Sequence, residues 1–272
     1  MRIAQFEHND YRGWGVVEGN TVTPVPTARN IVDVIAQAGS AMQQPISLAD
    51  IRWLAPTTTE TKILCAGFNY RTHVLEMARE LPKYPSIFVR FPDSFVGHEQ
   101  AVIRPGVSDS FDYEAEIAVV IGKEAWRVQP EEALHHVLGY TCMAENSARD
   151  YQKHNTQATP GKNFDRSGAI GPWVVTSDEF PDPSKITVTG RLNGEQVQRG
   201  SSSDLICSIA GLVAYVSSFT RLRPGDIIAT GTPEGVGMTR TPERWLRSGD
   251  TFEVAIEGLG TLSNPVIDES IE

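Results

Sequence analysis

The strongest hydrophobic signal in the chain runs over residues 115–121, Ala-Glu-Ile-Ala-Val-Val-Ile, closed by Gly122. An almost continuous apolar, β-branched run of this length predicts a buried strand. Shorter runs recur at 3–6, 14–17, 21–25, 62–67, 87–91, 139–143, 171–176, 186–192, 195–198, 227–230, 251–256 and 260–266, separated by glycine, proline and polar residues. Glu18-Gly19-Asn20 reads as a turn, and Asn193-Gly194 suits the type I′ turn of a hairpin. Helical spacing predicts helices over 31–38 (Asn30 as cap, Gly39 as stop), 71–81, 130–137, 148–154 (Ser147 as cap) and, the longest, 205–219. Many short strands and few helices, in no regular alternation, predict an α+β, mainly β fold and exclude a doubly wound sheet. Residues 1–55, a β-meander, a helix and the polar segment 41–50, read as a small N-terminal α/β domain, and 56–272 as the main domain.

Length and composition narrow the function without choosing it. A chain of 272 residues with 40% hydrophobic and 21% charged residues is that of an ordinary globular protein. A net charge of −10 argues against nucleic acid as a partner, although a local cationic cluster can still hold a small anion. No apolar run approaches the ~18 residues of a membrane span, and the N-terminus lacks the apolar core of a signal peptide. Cys65, Cys142 and Cys207 are odd in number and match no metal-ligand spacing, so they read as reduced thiols of a cytoplasmic protein.

Chemistry enters with the two carboxylates set at the start of the 115–121 run. Glu114 and Glu116 are two apart, so on a strand they share a face with Cα atoms about 6.5–7 Å apart. Like charges on a buried face are costly unless a cation lies between them, and a divalent metal resolves that conflict. The alternative is a solvated strand edge on which the pair only aids solubility. His73 and Glu76, three apart on the 71–81 helix, share a face, either as a surface hydrogen bond or as an oriented base. His135 and His136 close a helix opened by Glu131 and Glu132, a pattern that the helix dipole explains. His98 and His154 read as polar loop or helix-end residues, and Trp53, Trp126, Trp173 and Trp245 as core or interface anchors. The loop Gly231-Thr232-Pro233-Glu234-Gly235-Val236-Gly237 lacks the Gly-Lys-Ser/Thr ending of a phosphate-binding loop.

Five motifs stand in order along the chain: Cys65-Ala66-Gly67-Phe68-Asn69-Tyr70 with His73 and Glu76; Asp112-Tyr113-Glu114-Ala115-Glu116; Gly139-Tyr140-Thr141 through Ser147-Ala148-Arg149-Asp150-Tyr151-Gln152; Gly161-Lys162-Asn163-Phe164-Asp165 ahead of Gly171-Pro172-Trp173; and Pro224-Gly225-Asp226 ahead of Thr230-Gly231-Thr232-Pro233. Together they resemble the fumarylacetoacetate hydrolase family, in its acylpyruvase or 2-hydroxyhepta-2,4-diene-1,7-dioate isomerase branch. The resemblance runs from about residue 60 to the C-terminus. It implies a mixed β-sandwich roll, a homodimer, and Mg²⁺ or Mn²⁺ (Ca²⁺ in crystals) held by three carboxylates. Glu114 and Glu116 match two of these. The third, typically Asp after Asn, falls at Ala144-Glu145, so Glu145, 29 residues beyond Glu116, serves with one more methylene.

On this footing the expected reaction is metal-dependent C–C cleavage of a 2,4-diketo acid (an acylpyruvate) to pyruvate and a carboxylic acid. His73, held by Glu76 on a lid helix, is the expected base, and Lys162 stands near the metal carboxylates and the developing oxyanion. Arg149 and Gln152 position substrate oxygens, and Thr232 offers its hydroxyl or N–H to a substrate carboxylate. The same framework supports isomerases, tautomerases, hydratases and decarboxylases of 2-hydroxymuconate-like or oxaloacetate-like acids, which share enolate stabilisation. A catalytically silent structural member is the reading from a different class.

Overall fold

The computed structural model describes residues 1–38, 44–180 and 182–270; the expected helix stop at Gly39 and the start of the polar segment at Ala41 lie outside them. The fold is mainly β, as the hydrophobic pattern predicts. A twelve-stranded mixed sheet and a five-stranded mixed sheet carry most of the chain, with a two-stranded pair, Phe111–Asp112 and Ser147–Ala148, beside them. Strand Ala115–Ile121 lies at the centre of the large sheet, antiparallel to Val137–Ala144 on one side and to Ile227–Ala229 on the other.

That strand is buried on both faces, which is why its sequence hardly alternates. Ile117, Val119 and Ile121 belong to the core between the sheets, together with Val188, Leu192, Phe252, Val254 and Leu262 of the five-stranded sheet. Ala118 and Val120 face a second core with Ile63, Met143, Ile170 and Val174, capped by Trp14 and the Ile31–Gln37 helix. Strand Arg2–His8 pairs with Gly168–Thr176, so the first residues extend the large sheet. The Asn193-Gly194 hairpin has positive φ at both residues (53° and 82°), as a type I′ turn requires.

Several helices differ from the sequence reading. The 71–81 segment is helical only over Arg71–Glu76. It stops in a Schellman motif in which Ala78, at φ 52°, takes the left-handed position, Arg79 N–H donates to the Val74 carbonyl (3.1 Å) and Ala78 N–H to the Leu75 carbonyl (3.0 Å). The 148–154 segment is helical over Arg149–Gln152, and Ser147 is not its cap. Ser147 pairs as strand with Asp112 and spends its hydroxyl on Glu114 instead. The long helix runs over Ile209–Phe219 from a Ser208 cap, because Leu205 is drawn into a bridge with Tyr70. The 130–137 segment divides into Pro130–Ala133 and a 3₁₀ turn, Leu134–His136.

Candidate active site

Glu114, Glu116 and Glu145 converge where the central strand of the large sheet begins. Glu114 and Glu116 share the face that continues into the second core, and Glu145 follows strand Val137–Ala144, its N–H donating to the Glu114 carbonyl at 2.9 Å. The three carboxylates are 5%, 2% and 0% exposed, which removes the solvated-edge reading of the Glu114–Glu116 pair. Their oxygens lie within 4.8 Å of one another, and among the described residues this is the acidic, His or Cys group close enough to share a metal ion.

Charge within the cluster is only partly compensated. Lys162 Nζ reaches Glu114 Oε2 at 3.0 Å and the Glu145 carboxylate, and donates to the Glu145 carbonyl at 3.2 Å. Arg149 pairs with Glu114 Oε1 at 2.6 Å and, through Nε, with Asp112 Oδ2 at 2.8 Å. Arg90 pairs with Glu145 Oε1 at 3.0 Å. Burial pushes the Glu114 pKa up, but Arg149 and Lys162, with the Ser147 hydroxyl at 2.7 Å, pull it far below the usual carboxylate range. Glu116 has the opposite fate: burial, then the charges of Glu145 and Glu114, push it well up. The hydrogen bond recorded for its carboxylate comes from Gly231 N–H at 2.8 Å. Gly231 holds φ at +101°, where a side chain would be strained and would crowd the Ala66 carbonyl at 3.0 Å.

Four carboxylates (Asp112, Glu114, Glu116, Glu145) thus face three cations (Arg90, Arg149, Lys162), and the uncompensated charge falls on Glu116. An oxygen-only donor set with a deficit of positive charge suits Mg²⁺, Mn²⁺ or Ca²⁺ better than zinc. The residues present therefore fit the expected cation.

The cluster opens into a cavity of about 620 Å³ that His73, Arg149, Gln152, Lys162 and Thr232 also line. Lys162 arrives on the short Thr159–Lys162 helix, which approaches the Arg149–Gln152 helix so closely that a Cβ at Gly161 would lie 2.5 Å from Gln152 N. Burial presses the Lys162 pKa down, but Glu114 and Glu145 outweigh that and raise it, so the ammonium persists. Arg149 Nη1 donates to Gln152 Oε1 at 3.0 Å, so these two share a face as expected, and Arg149 Nη2 is buried without a hydrogen-bond partner among the described residues. The Thr232 hydroxyl donates to the Ala115 carbonyl (3.0 Å) and accepts from Gln198 Nε2 (2.8 Å), which commits it to the scaffold.

His73 is 7% exposed, stacked parallel to Phe68 (interplanar angle 10°), with Nδ1 3.2 Å from Glu76 Oε2. Glu76 Oε1 accepts from Thr239 Oγ1 (2.7 Å) and Gly235 N–H (3.0 Å), which ties the helix to the glycine-rich loop. Burial raises the Glu76 pKa, but His73, Thr239 and Gly235 together bring it below its ordinary value. The pair is therefore anchored inside the fold and is not a surface hydrogen bond.

His98 and His135 stand outside the cavity. His98 accepts from Ser263 N–H and packs edge-on against Trp53, while exposed His135 bonds Glu132. Sequence reasoning gave no site role to Arg90 or Asp112, and read Ser147 only as a helix cap. A charged residue set inside the apolar 87–91 run was the available sign for Arg90, since a buried guanidinium needs a carboxylate. Asp112 accepts from Gly237 N–H (2.7 Å) and Met238 N–H (3.2 Å) as well as from Arg149, and so joins the cavity-lining arginine to the turn that carries Thr239.

A mainly β scaffold that brings three buried carboxylates and a histidine anchored by Glu76 to one cavity is equipped for acid–base work on a small molecule. The chain belongs to the fumarylacetoacetate hydrolase family: residues 62–267 match the family described as fumarylacetoacetate (FAA) hydrolase C-terminal, and residues 1–56 match an Rv2993c-like N-terminal family. Oxaloacetate tautomerase YisK of Bacillus subtilis is 42% identical over 224 residues, 81% of this chain and 74% of that protein. The structure of 2-hydroxyhepta-2,4-diene-1,7-dioate isomerase from Mycobacterium marinum superposes with a TM-score of 0.82 at 31% identity, covering 100% of both chains. Maleylpyruvate hydrolase from Sphingobium, solved with manganese(II) and pyruvate, superposes with a TM-score of 0.82 at 25% identity, covering 99% of this chain and 100% of that one.

These relatives confirm the family and the fold and correct the reaction. The sequence reading put C–C hydrolysis of a 2,4-diketo acid first, and isomerisation or decarboxylation (with tautomerisation or hydration) of a 2-hydroxymuconate-like or oxaloacetate-like acid second. An oxaloacetate tautomerase at 42% identity and a 2-hydroxydienoate isomerase spanning the whole chain reverse that order. The physical reason lies in what the motifs encode. They specify enolate stabilisation, a step common to both reactions, and carry no residue whose chemistry demands attack by water on a second carbonyl.

Proposed function

We propose that this chain is a divalent-cation-dependent tautomerase that interconverts the enol and keto forms of a short 2-oxo dicarboxylic acid of the oxaloacetate kind. The observation that carries the reading is that a cation-ready carboxylate triad and His73, held from behind by Glu76, meet at one cavity, in a chain related to an oxaloacetate tautomerase. Ketonisation moves a proton from the 2-hydroxyl to C3, so it needs a proton carrier and charge stabilisation at oxygen. Glu76 accepts the Nδ1 proton of His73, which leaves a bare Nε2 to take the 2-hydroxyl proton and deliver it to C3, and to carry it back in enolisation. The Lys162 ammonium stabilises negative charge developing on the 2-oxygen. Arg149, through its unpartnered Nη2, and Gln152 take a substrate carboxylate. When bound by Glu114, Glu116 and Glu145, Mg²⁺ or Mn²⁺ supplies Lewis-acid polarisation of the 2-oxo group.

The cavity, at about 620 Å³, exceeds what a four-carbon acid fills, which favours as a second substrate a longer 2-hydroxydienedioate undergoing the same enolate chemistry. A homodimer in the cytoplasm completes the proposal; light scattering of the purified protein tests the first part. No helix among the described residues is long and apolar enough to cross a membrane.

The deciding experiment follows loss of enol absorbance from freshly dissolved enol-oxaloacetate, with Mg²⁺ or Mn²⁺ and with EDTA, with products identified by mass. Cation-dependent acceleration at unchanged mass is expected. Loss of CO₂ as the main event would move the protein to the decarboxylase branch. No acceleration for either the four-carbon or the longer enol would overturn the proposal.

A further inference from the structure

Arg90, the last residue of strand Ser86–Arg90, is the largest fully buried side chain among the described residues, and its guanidinium has no exposed surface. A guanidinium has five N–H donors, and here each has an acceptor. Nε donates to Ser94 Oγ (3.1 Å), Nη1 to Glu145 Oε1 (3.0 Å) and the Asn146 carbonyl (3.3 Å), and Nη2 to Ser167 Oγ (2.9 Å) and the Ser94 carbonyl (3.3 Å). The Phe95 ring supports the guanidinium 4.1 Å away. Arg149 is different: it lines the cavity and keeps Nη2 without a hydrogen-bond partner among the described residues. Arg90 has no donor left for a substrate and does not line the cavity.

What Arg90 does is occupy one oxygen of Glu145. One oxygen of each other triad member is likewise held, Glu114 Oε1 by Ser147 and Arg149 and Glu116 Oε2 by Gly231 N–H, while the second oxygens of Glu114 and Glu145 share the Lys162 ammonium and keep a lone pair for a cation. The longer arm of Glu145 gives it more freedom than an aspartate at this place, and Arg90 removes that freedom. We propose that Arg90 is a positioning residue that makes Glu145 a one-oxygen ligand and thereby biases the triad toward small divalent cations over Ca²⁺. Mg²⁺ and Mn²⁺ suit near-octahedral sites with single oxygens and retained waters, whereas Ca²⁺ takes 6–8 oxygens and favours two-oxygen carboxylates. This inference rests on the proposed cation site but adds a residue and a selectivity that the site alone does not give.

The test titrates metal-free protein with Mn²⁺ and, separately, Ca²⁺ by calorimetry, with the free-Mn²⁺ electron paramagnetic resonance signal as a second readout. Wild type is expected to prefer Mn²⁺. Arg90→Gln should weaken Mn²⁺ binding about 10–100-fold, the usual cost of losing a group that holds a metal ligand. Ca²⁺ binding should change less, so the Mn²⁺/Ca²⁺ ratio falls. Arg90→Lys should restore part of the ratio, since an ammonium can still donate to Oε1. Ser167→Ala keeps the charge but loosens the fork and should shift the ratio the same way by a smaller factor, which decides the matter should Arg90→Gln not fold. In a Glu145→Ala background, Arg90→Lys should leave the ratio where that background sets it.

A wild-type ratio in folded Arg90→Gln, or in both Arg90→Lys and Ser167→Ala, overturns the inference while leaving the cation site intact. Wild type that binds neither ion overturns the cation site itself, and this inference with it.

Discussion

Replacing Glu116 with Gln should stabilise the metal-free protein and abolish its stabilisation by metal. Glu116 is 2% exposed, and the partner recorded for its carboxylate is the Gly231 N–H. An uncompensated buried charge costs about 3–5 kcal/mol. In Glu116→Gln the new amide oxygen still accepts from Gly231, and the new amide N–H groups lie among the oxygens of Glu114 and Glu145, which are within 4.8 Å. Allowing for imperfect amide geometry, we expect a gain of about 2–4 kcal/mol. At about 2.1 cal/mol/K per residue over 272 residues, the unfolding entropy is roughly 0.57 kcal/mol/K, so Tm should rise by about 4–7 °C. Saturating Mn²⁺ at 100 times its Kd adds about 2.7 kcal/mol to wild type, or about 5 °C, and little to the variant. Differential scanning calorimetry in EDTA and then in Mn²⁺ should therefore show the gap between the two proteins close or reverse. A Glu116→Gln protein less stable than wild type in EDTA would refute the reasoning, because the Glu116 charge would then be compensated without a cation.

His73→Asn should lower kcat for ketonisation by about 10²–10⁴-fold with little change in KM, and should slow exchange of the C3 proton with D₂O, followed by NMR. Lys162→Met should cost about 10²–10³-fold in kcat by removing the donor to the developing oxyanion, and should lower metal-free stability by about 3–5 kcal/mol because Glu114 and Glu145 lose a shared cation. The lowered pKa of Glu76 makes its contribution one that is complete above the ordinary carboxylate value of 4.5 and lost as pH falls through the lower folded value. Hydrogen exchange over residues 71–77 should accordingly quicken below about pH 4.5 in wild type, whereas Glu76→Gln should exchange fast at all pH values. Thr239→Val, which removes the 2.7 Å bond to Glu76, should weaken protection of the same amides by about 1 kcal/mol.

The central strand was legible because burial on both faces leaves a run that is hardly interrupted, and the two glutamates at its start were conspicuous against it. The type I′ hairpin was legible because Asn193-Gly194 has few other uses. The helix ends were harder. Ala78 takes a left-handed position usually given to glycine, so nothing in its identity announces the stop at Glu76. Ser147 resembles a helix cap in sequence, but tertiary pairing with Asp112 and the demand of Glu114 claim it first. Arg90 and Asp112 were invisible as site residues because their partners come from segments 55 and 37 residues away. The reaction was misjudged because the motifs report the enolate step that hydrolases and tautomerases share and leave the fate of the enolate unspecified.

The strand that opens at Ala115 has a consequence for how this site tolerates change. With odd positions filling one core and even positions the other, a single-residue insertion or deletion inside it would exchange the two sets. Glu116 would then be driven among Val188, Leu192 and Val254, where nothing could accept its charge. Such a lesion could not yield a folded but inactive protein, because the same registry that spaces the carboxylates also seals both cores. Reading-frame-preserving variants in this segment should therefore disappear from the soluble fraction before they appear as slow enzymes, which makes soluble yield an early report on the site itself.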